Sequence, residues 1–150
     1  MTSTQLVSTL RGAGLRVTNA RLEVLETVQE HPHADAGTVL SLTRERAQGV
    51  SVQGVYDVLT TLTRAGVLRR IQPAHSTARF EIDAGDNHHH VVCRSCQSLA
   101  DVPCAVGEPP CIDTSAAASL GYEVDEAEVI YWGVCPGCRA DRPEPAPHTP

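Results

Sequence analysis

All six cysteines of this 150-residue chain lie in its second half, and four of them form two C-x2-C pairs, Cys93/Cys96 and Cys135/Cys138. Thiolates supplied in pairs on tight turns give the four soft donors that a tetrahedral structural zinc takes. A thioredoxin-type redox site instead needs one C-x-x-C opening a helix after a strand, whereas here Gly and Pro accompany paired knuckles. With every coordination position filled by protein, such an ion is structural, and its binding energy is part of the folding energy.

His88, His89 and His90 run directly into the first pair. On a strand, residues two apart share a face, so His88 and His90 point one way as a two-imidazole clamp and His89 points the other. Glu81 at the end of a β-prone run, His31 at the end of a helical one, and Asp101 are the residues able to complete a mixed nitrogen and oxygen set. That set suits Fe, Mn, Ni, Co or Zn in exchangeable form. The plainer reading is a solvated polyhistidine run. Cys104 and Cys111 stand outside the zinc pairs and read either as a redox pair or as small apolar residues.

Positioning these groups takes two domains, and the charge distribution divides them. The formal net charge of −6 would disfavour a nucleic-acid partner if evenly spread. Residues 1–82, however, hold nine Arg against seven acidic residues, net +2, while residues 83–150 hold three Arg against eleven, net −8. Every basic residue is Arg, which suits bidentate phosphate contacts and equally reflects genome composition. The 41% hydrophobic and 20% charged content is that of a globular chain, and no apolar run approaches the roughly 20 residues of a membrane span. The opening MTSTQLVSTLRGAG has no basic segment followed by an apolar core. No secretory signal is read there, and the expected compartment is the reducing cytoplasm, where cysteines serve metals before disulfides.

In the first half, Thr4 to Leu10 reads as a short helix ended by Gly12 and Gly14. Thr18 caps a second helix with Leu22, Val24, Leu25 and Val28 on one face, stopped at His31-Pro32. Asp35 caps a third, carrying Val39, Leu40 and Leu42, and Ser51 caps a fourth in which Val55, Leu59 and Leu62 recur at helical spacing before Gly66. Residues 67–72 and 78–82 then read as a hairpin. Three helices, a recognition-type helix and a wing predict a winged helix-turn-helix. Ser51, Val52, Gln53 and Gly54 are small enough to let that helix end approach base edges, with Tyr56 one turn further in. Arg69, Arg70 and Arg79 on the hairpin, with Arg16 and Arg21 near the second helix, are placed to hold phosphates; the same residues also read as ordinary solvated arginines.

Residues 83–87 read as a polar hinge, and 88–140 as a small α/β dimerisation domain with the four-cysteine zinc site, giving an α+β fold class for the whole chain. In it, His88 to Val92 form one strand, a break falls at Gly107-Glu108-Pro109-Pro110, Thr114 caps a short helix ending near Gly121, and Glu128 to Trp132 form a second strand. So small a domain buries little apolar surface and gains from a metal staple. The Pro-rich residues 141–150 read as a disordered tail.

Taken in order, Gly14-Leu15-Arg16-Val17-Thr18, His31-Pro32-His33-Ala34-Asp35, Val50-Ser51 leading to Val55-Tyr56, Arg79-Phe80-Glu81, and the run from His88 through Cys93-x2-Cys96 to Cys135-x2-Cys138 resemble the ferric uptake regulator (Fur) family over roughly residues 5–139. The run from Gly85 to Cys93 and the segment Asp101 to Cys111 are similar to its FurA-like, catalase-linked and peroxide-sensing branch. The resemblance implies a homodimer that, with metal at the hinge, closes two winged helices onto a palindromic operator of double-stranded DNA and represses transcription, here of catalase-peroxidase or iron genes. It assigns the regulatory ion, Fe(2+) or Mn(2+) with Zn or Ni as alternatives, to His31, Glu81, His88 and His90, and Asp101 matches the acidic ligand of the peroxide-sensing relatives. His33 is a neighbour outside the ligand position. Asp57 stands where many relatives carry Arg, which implies different operator contacts. A third metal site of some relatives is matched by His89 and Glu108, but Ala127 falls near the position of its strand His.

The rival functions are a zinc-ribbon thiol oxidoreductase, a non-regulatory zinc-ribbon interaction protein, and a zinc or nickel uptake regulator of the same family. Nothing in the chain has the pattern of a catalytic triad or a phosphate loop, so it is read as a non-enzyme.

Overall fold

The computed structural model describes residues 1–47, 49–105, 107, 111–124 and 127–141. The chain forms two compact units, the first Met1–Asp86 and the second starting at Asn87. Glu108 and most of the expected break around it, together with the Pro-rich tail from 142 onward, lie outside the described residues.

Each helix of the first unit begins where a side-chain oxygen can satisfy amide groups that have no partner within the helix. In α1 (Ser3–Gly12), Thr2 accepts from the Gln5 amide while the Gln5 side chain accepts from the Thr2 amide, a reciprocal cap. Thr18 caps α2 (Asn19–Glu30), which ends at His31 because Pro32 disfavours helical geometry in the residue before it. A two-residue strand, β1 (Ala34–Asp35), follows, and the Asp35 carboxylate caps α3 (Ala36–Arg46) by accepting from the Thr38 amide at 2.8 Å. Ser51 caps α4 (Val52–Arg64), and Gly66, at φ 67°, takes the left-handed turn that releases the chain into the wing.

The wing is β2 (Leu68–Ile71) and β3 (Arg79–Ile82), antiparallel with Leu68 opposite Ile82 and Arg70 opposite Phe80. β1 adds to the far side of β3, giving the order β1-β3-β2. β1 is too short to show a period of two in the sequence. It forms because His33, at φ 64°, turns the chain so that its amide donates to the Phe80 carbonyl at 2.9 Å. Leu6, Leu10, Val24, Leu25, Val28, Val39, Val55, Leu59, Leu62, Val67, Leu68 and Phe80 make one core of helices and wing. Its buried polar pair is self-satisfied, with Thr43 Oγ1 donating to Thr27 Oγ1 at 3.1 Å.

The second unit contains β4 (His88–Cys93), β5 (Leu99–Pro103), α5 (Ser115–Ser119), β6 (Ile130–Gly133) and α6 (Pro136–Ala140). β4 is central in the order β5-β4-β6, antiparallel to β5 and parallel to β6. A parallel neighbour requires a crossover, and the crossover contains α5. Among the described residues of this unit only His89, His90, Val92 and Cys93 are buried, while Ile112, Leu120, Tyr122 and Tyr131 are exposed. β5 has no clear pattern of its own in the sequence; it is held by its register on β4. The second cysteine pair opens a short helix in place of the expected hairpin-like turn, because the Cys135 side chain accepts from the Cys138 amide as an N-cap and Pro136 fits the first helical turn.

Candidate metal centres and nucleic-acid face

The end of β4 delivers Cys93, the following turn Cys96, and the start of α6 Cys135 and Cys138. The four sulfurs all lie within 4.8 Å of one another, and Cys96 Sγ is 3.8 Å from Cys135 Sγ. With Zn–S bonds of about 2.3 Å, tetrahedral geometry puts sulfurs about 3.8 Å apart. The donor set therefore fits zinc. The amides of Cys135, Cys96 and Ser95 point at Cys93 and lower its thiol to about 6, which favours the thiolate a metal needs. Cys138 is pushed up to about 12 even though Ser95 hydrogen bonds to it, because the neighbouring Cys135 and Cys96 sulfurs disfavour a further negative charge. That is the expected conflict of thiols gathered in one place, and a divalent cation resolves it. All six cysteines are thiols, none in a disulfide.

Strand alternation on β4 sorts the other donors into two faces. His90 lies opposite Asp101 and His88 opposite Pro103. The Nε2 atoms of His88 and His90 are 3.2 Å apart, and an Asp101 carboxylate oxygen lies 3.8 Å from the first and 3.6 Å from the second. His89 faces the other way, its Nε2 3.1 Å from Cys111 Sγ. Cys111 is held above the ordinary thiol range, by burial first and by Cys104 second.

In the first unit, the buried carboxylate of Glu81 lies 2.9 Å from His33 Nε2 and 3.2 Å from Arg69. His31, which the family resemblance assigns as the ligand, is exposed at the end of α2. The imidazole beside Glu81 is thus that of His33, a position aimed by its left-handed backbone, which spacing alone does not reveal.

The start of α4 presents exposed Ser51, Val52 and Gln53, and Tyr56 follows, 43% exposed. Gln53 Nε2 donates to Asp57 at 2.8 Å, so Asp57 orients a side chain at the helix end. Tyr56, Arg64, Arg70, Gln72 and His75 line a cleft of about 1010 Å³ between α4 and the wing. Arg16 and Arg70 are exposed. Arg21 donates to the Arg16 carbonyl, and Arg79 to the His33 carbonyl. Arg69 is turned inward, donating to Glu81, Asp83 and the Asp86 carbonyl. The structure therefore separates the expected cationic set, with Arg70 lining the same cleft as Tyr56 and donating to Gln72, and Arg69 engaged in ion pairs.

No helix among the described residues is long and apolar enough to cross a membrane. The chain is similar to the transcriptional regulator FurA of Mycobacterium tuberculosis, 57% identical over 129 residues that make up 86% of each protein. It is 30% identical to the ferric uptake regulation protein of Neisseria gonorrhoeae over 136 residues, 89% of this chain and 93% of the other. Its fold matches the Vibrio cholerae ferric uptake regulator with a TM-score of 0.66 at 25% identity, covering 85% of this chain and 98% of that one. Residues 12–129 match the ferric uptake regulator family. With a winged helix in one unit and metal-ligating side chains gathered in the other, the chain belongs to the ferric uptake regulator family, and it is a transcriptional regulator and not an enzyme.

Proposed function

We propose that this protein is a metal-dependent repressor that binds a palindromic operator as a homodimer in the cytoplasm and controls oxidative-stress genes of the catalase-peroxidase type, iron genes, or both. The observation that carries the reading is the grouping of His88 and His90 of β4 with Asp101 of β5 on one face of the sheet, apart from the four thiols. Four thiolates hold a structural zinc tightly. Imidazoles and a carboxylate hold Fe(2+) or Mn(2+) exchangeably, which is what a sensor requires. His31 and Glu81 are the ligands that the family resemblance adds from the first unit.

Dimer formation is supported by the thin core of the second unit and by its exposed apolar side chains Ile112, Leu120, Tyr122 and Tyr131. DNA binding is supported by Ser51, Gln53, Tyr56 and Arg70 at α4 and the wing, with Arg16, Arg21, Arg69 and Arg79 as candidate phosphate contacts. The deciding experiment is a binding assay on the gene's own upstream DNA with Fe, Mn, Ni and Zn supplied separately, before and after peroxide. Metal-dependent retardation relieved by peroxide is expected. Equal binding with and without every metal overturns the proposal.

A further inference from the structure

The second face of β4 carries donors that the proposed regulatory and structural sites do not use. His89 lies opposite Val102 in the antiparallel register with β5, so Cys104, two residues beyond Val102, projects to the same side as His89. Cys111 comes back to this place, with its sulfur 3.1 Å from His89 Nε2. One ligand atom from each of His89, Cys104 and Cys111 lies within 4.8 Å of the other two. His89 is only 7% exposed, and the ring of Tyr131 stands 6.2 Å from it in an edge-to-face arrangement. The site is therefore partly dry and is fixed by the sheet.

We propose that His89, Cys104 and Cys111 form a third metal site, selective for a thiophilic ion such as Zn(II) and distinct from both the four-thiolate site and the His88/His90/Asp101 set. Ligand softness separates the two faces of the strand. One imidazole with two thiolates favours soft and borderline ions, whereas two imidazoles with a carboxylate favour harder ones. The donor spacing fits this chemistry, since Zn–N near 2.0 Å and Zn–S near 2.3 Å place a tetrahedral N···S pair about 3.5 Å apart. Three protein ligands leave one position for water or an exogenous ligand, so this ion exchanges more readily than one held by four cysteines. Binding replaces the two thiol protons, which are released to solvent, with no change of oxidation state.

The test uses the full chain as a reduced dimer with its structural zinc in place, titrated with Co(II) as a spectroscopic substitute. Thiolate-to-Co(II) charge transfer in the near ultraviolet reports sulfur ligation, which the His88/His90/Asp101 set cannot produce. The expected result is a charge-transfer band in the unmodified protein and in the double variant His88→Ala/His90→Ala. It should be absent in Cys104→Ser/Cys111→Ser, with about one fewer metal ion per chain by native mass spectrometry and the structural zinc retained. His89→Ala, which keeps both sulfurs, should bind Co(II) at least tenfold more weakly. A band that persists in Cys104→Ser/Cys111→Ser overturns the assignment. So does the absence of any band in the unmodified reduced protein, and so does a Cys104–Cys111 disulfide that forms at the same rate with and without added Zn(II).

Discussion

The imidazoles of His88 and His90 face each other across one side of a strand, Nε2 to Nε2 at 3.2 Å, with ring planes 77° apart. Two residues apart on a strand is the smallest spacing that repeats a face, so this pair is dictated by the β-conformation itself. Asp101 arrives through the register of the neighbouring strand, directly opposite His90. The three donors thus depend on one hydrogen-bonded ladder, which is more rigid than a set collected from loops.

His90→Ala is expected to leave the fold and the structural zinc unchanged while abolishing the metal-dependent gain in operator affinity. The family resemblance predicts the same loss for His31→Ala, whereas the contact of His33 with Glu81 predicts it for His33→Ala. Measuring operator affinity with and without metal for all three variants decides the matter. Loss of activation in His33→Ala alone, with His31→Ala unaffected, moves the ligand to the imidazole that stands beside Glu81.

Cys135→Ser should release zinc and destabilise the second unit together with the dimer, because that unit has few buried side chains and the site energy is folding energy. Structural zinc sites contribute on the order of 10 kcal/mol of binding free energy at neutral pH, more than a domain of this size can spare. Zinc content by elemental analysis and melting by circular dichroism, with and without a strong chelator, provide the readout. Full zinc retention in Cys135→Ser is the result that refutes the site.

Tyr56→Ala and Arg70→Ala should weaken operator binding in different ways. Arg70 is exposed on the wing, and loss of a phosphate contact there reduces the salt slope by about one and acts on all sequences alike. Tyr56, on the exposed side of α4, should affect specific DNA more than unrelated DNA. Arg69→Ala makes a useful comparison, since that guanidinium already serves Glu81 and Asp83; its loss should lower stability more than the salt slope. Binding isotherms at several salt concentrations test all three, and unchanged affinity in both Tyr56→Ala and Arg70→Ala means that helix and wing are misassigned.

Asp35→Ala should cost about 1 kcal/mol of stability through loss of the α3 cap. The Thr38 amide holds the Asp35 carboxyl below its ordinary value of 3.8. A carboxylate with a lowered folded pKa contributes stability above its unfolded value and loses it as pH falls through the folded one. The melting difference between the variant and the unmodified protein should therefore be full near neutrality and shrink below that ordinary value. A difference independent of pH assigns the effect to helix propensity alone.

Three helices of the first unit were legible because each announces itself twice, by an apolar face and by a cap: Thr18, Asp35 and Ser51 stand where the sequence places them. In the second unit Thr114 makes no capping hydrogen bond, the Asp113 carboxylate accepting from the Ser115 amide instead, and the five-residue α6 is too short to show a helical period. The four-thiolate cluster was legible because two C-x2-C pairs have few other uses. What the sequence could not show comes from partners rather than periods. β1 exists through its register on β3, and β5 through its register on β4. The pairing of Glu81 with His33 depends on a positive φ at a non-glycine residue, which no local pattern signals. The meeting of His89 with Cys111 depends on a return of the chain over 22 residues. Arg69 and Arg70 are adjacent and chemically identical, yet alternation along β2 turns one onto Glu81 and exposes the other.

An oxidant sensor is expected in preference to a plain iron-uptake regulator, on the strength of Asp101 beside the imidazole pair and of the resemblance of residues 85–93 and 101–111 to the peroxide-sensing branch of the family. A redox-active ion held by imidazoles and a carboxylate, when bound, supplies metal-catalysed oxidation of its own surroundings, and the nearest oxidisable side chains are the ligand histidines themselves. Oxidation of His90 or His31 removes a donor irreversibly, so operator release should persist after reductant is added. The competing route runs through sulfur: a Cys104–Cys111 disulfide, or oxidation of the zinc thiolates, is reversed by reductant. Peptide mass spectrometry after peroxide separates the two. One added oxygen on a His-containing peptide, seen with Fe(II) and absent with Mn(II), is the expected result, accompanied by loss of operator affinity. A reducible loss of two hydrogens spanning cysteines, with the histidine peptides unchanged, assigns sensing to the thiols. If peroxide changes neither the mass nor the DNA affinity of the Fe(II) protein, oxidant sensing is wrong and metal availability itself is the signal.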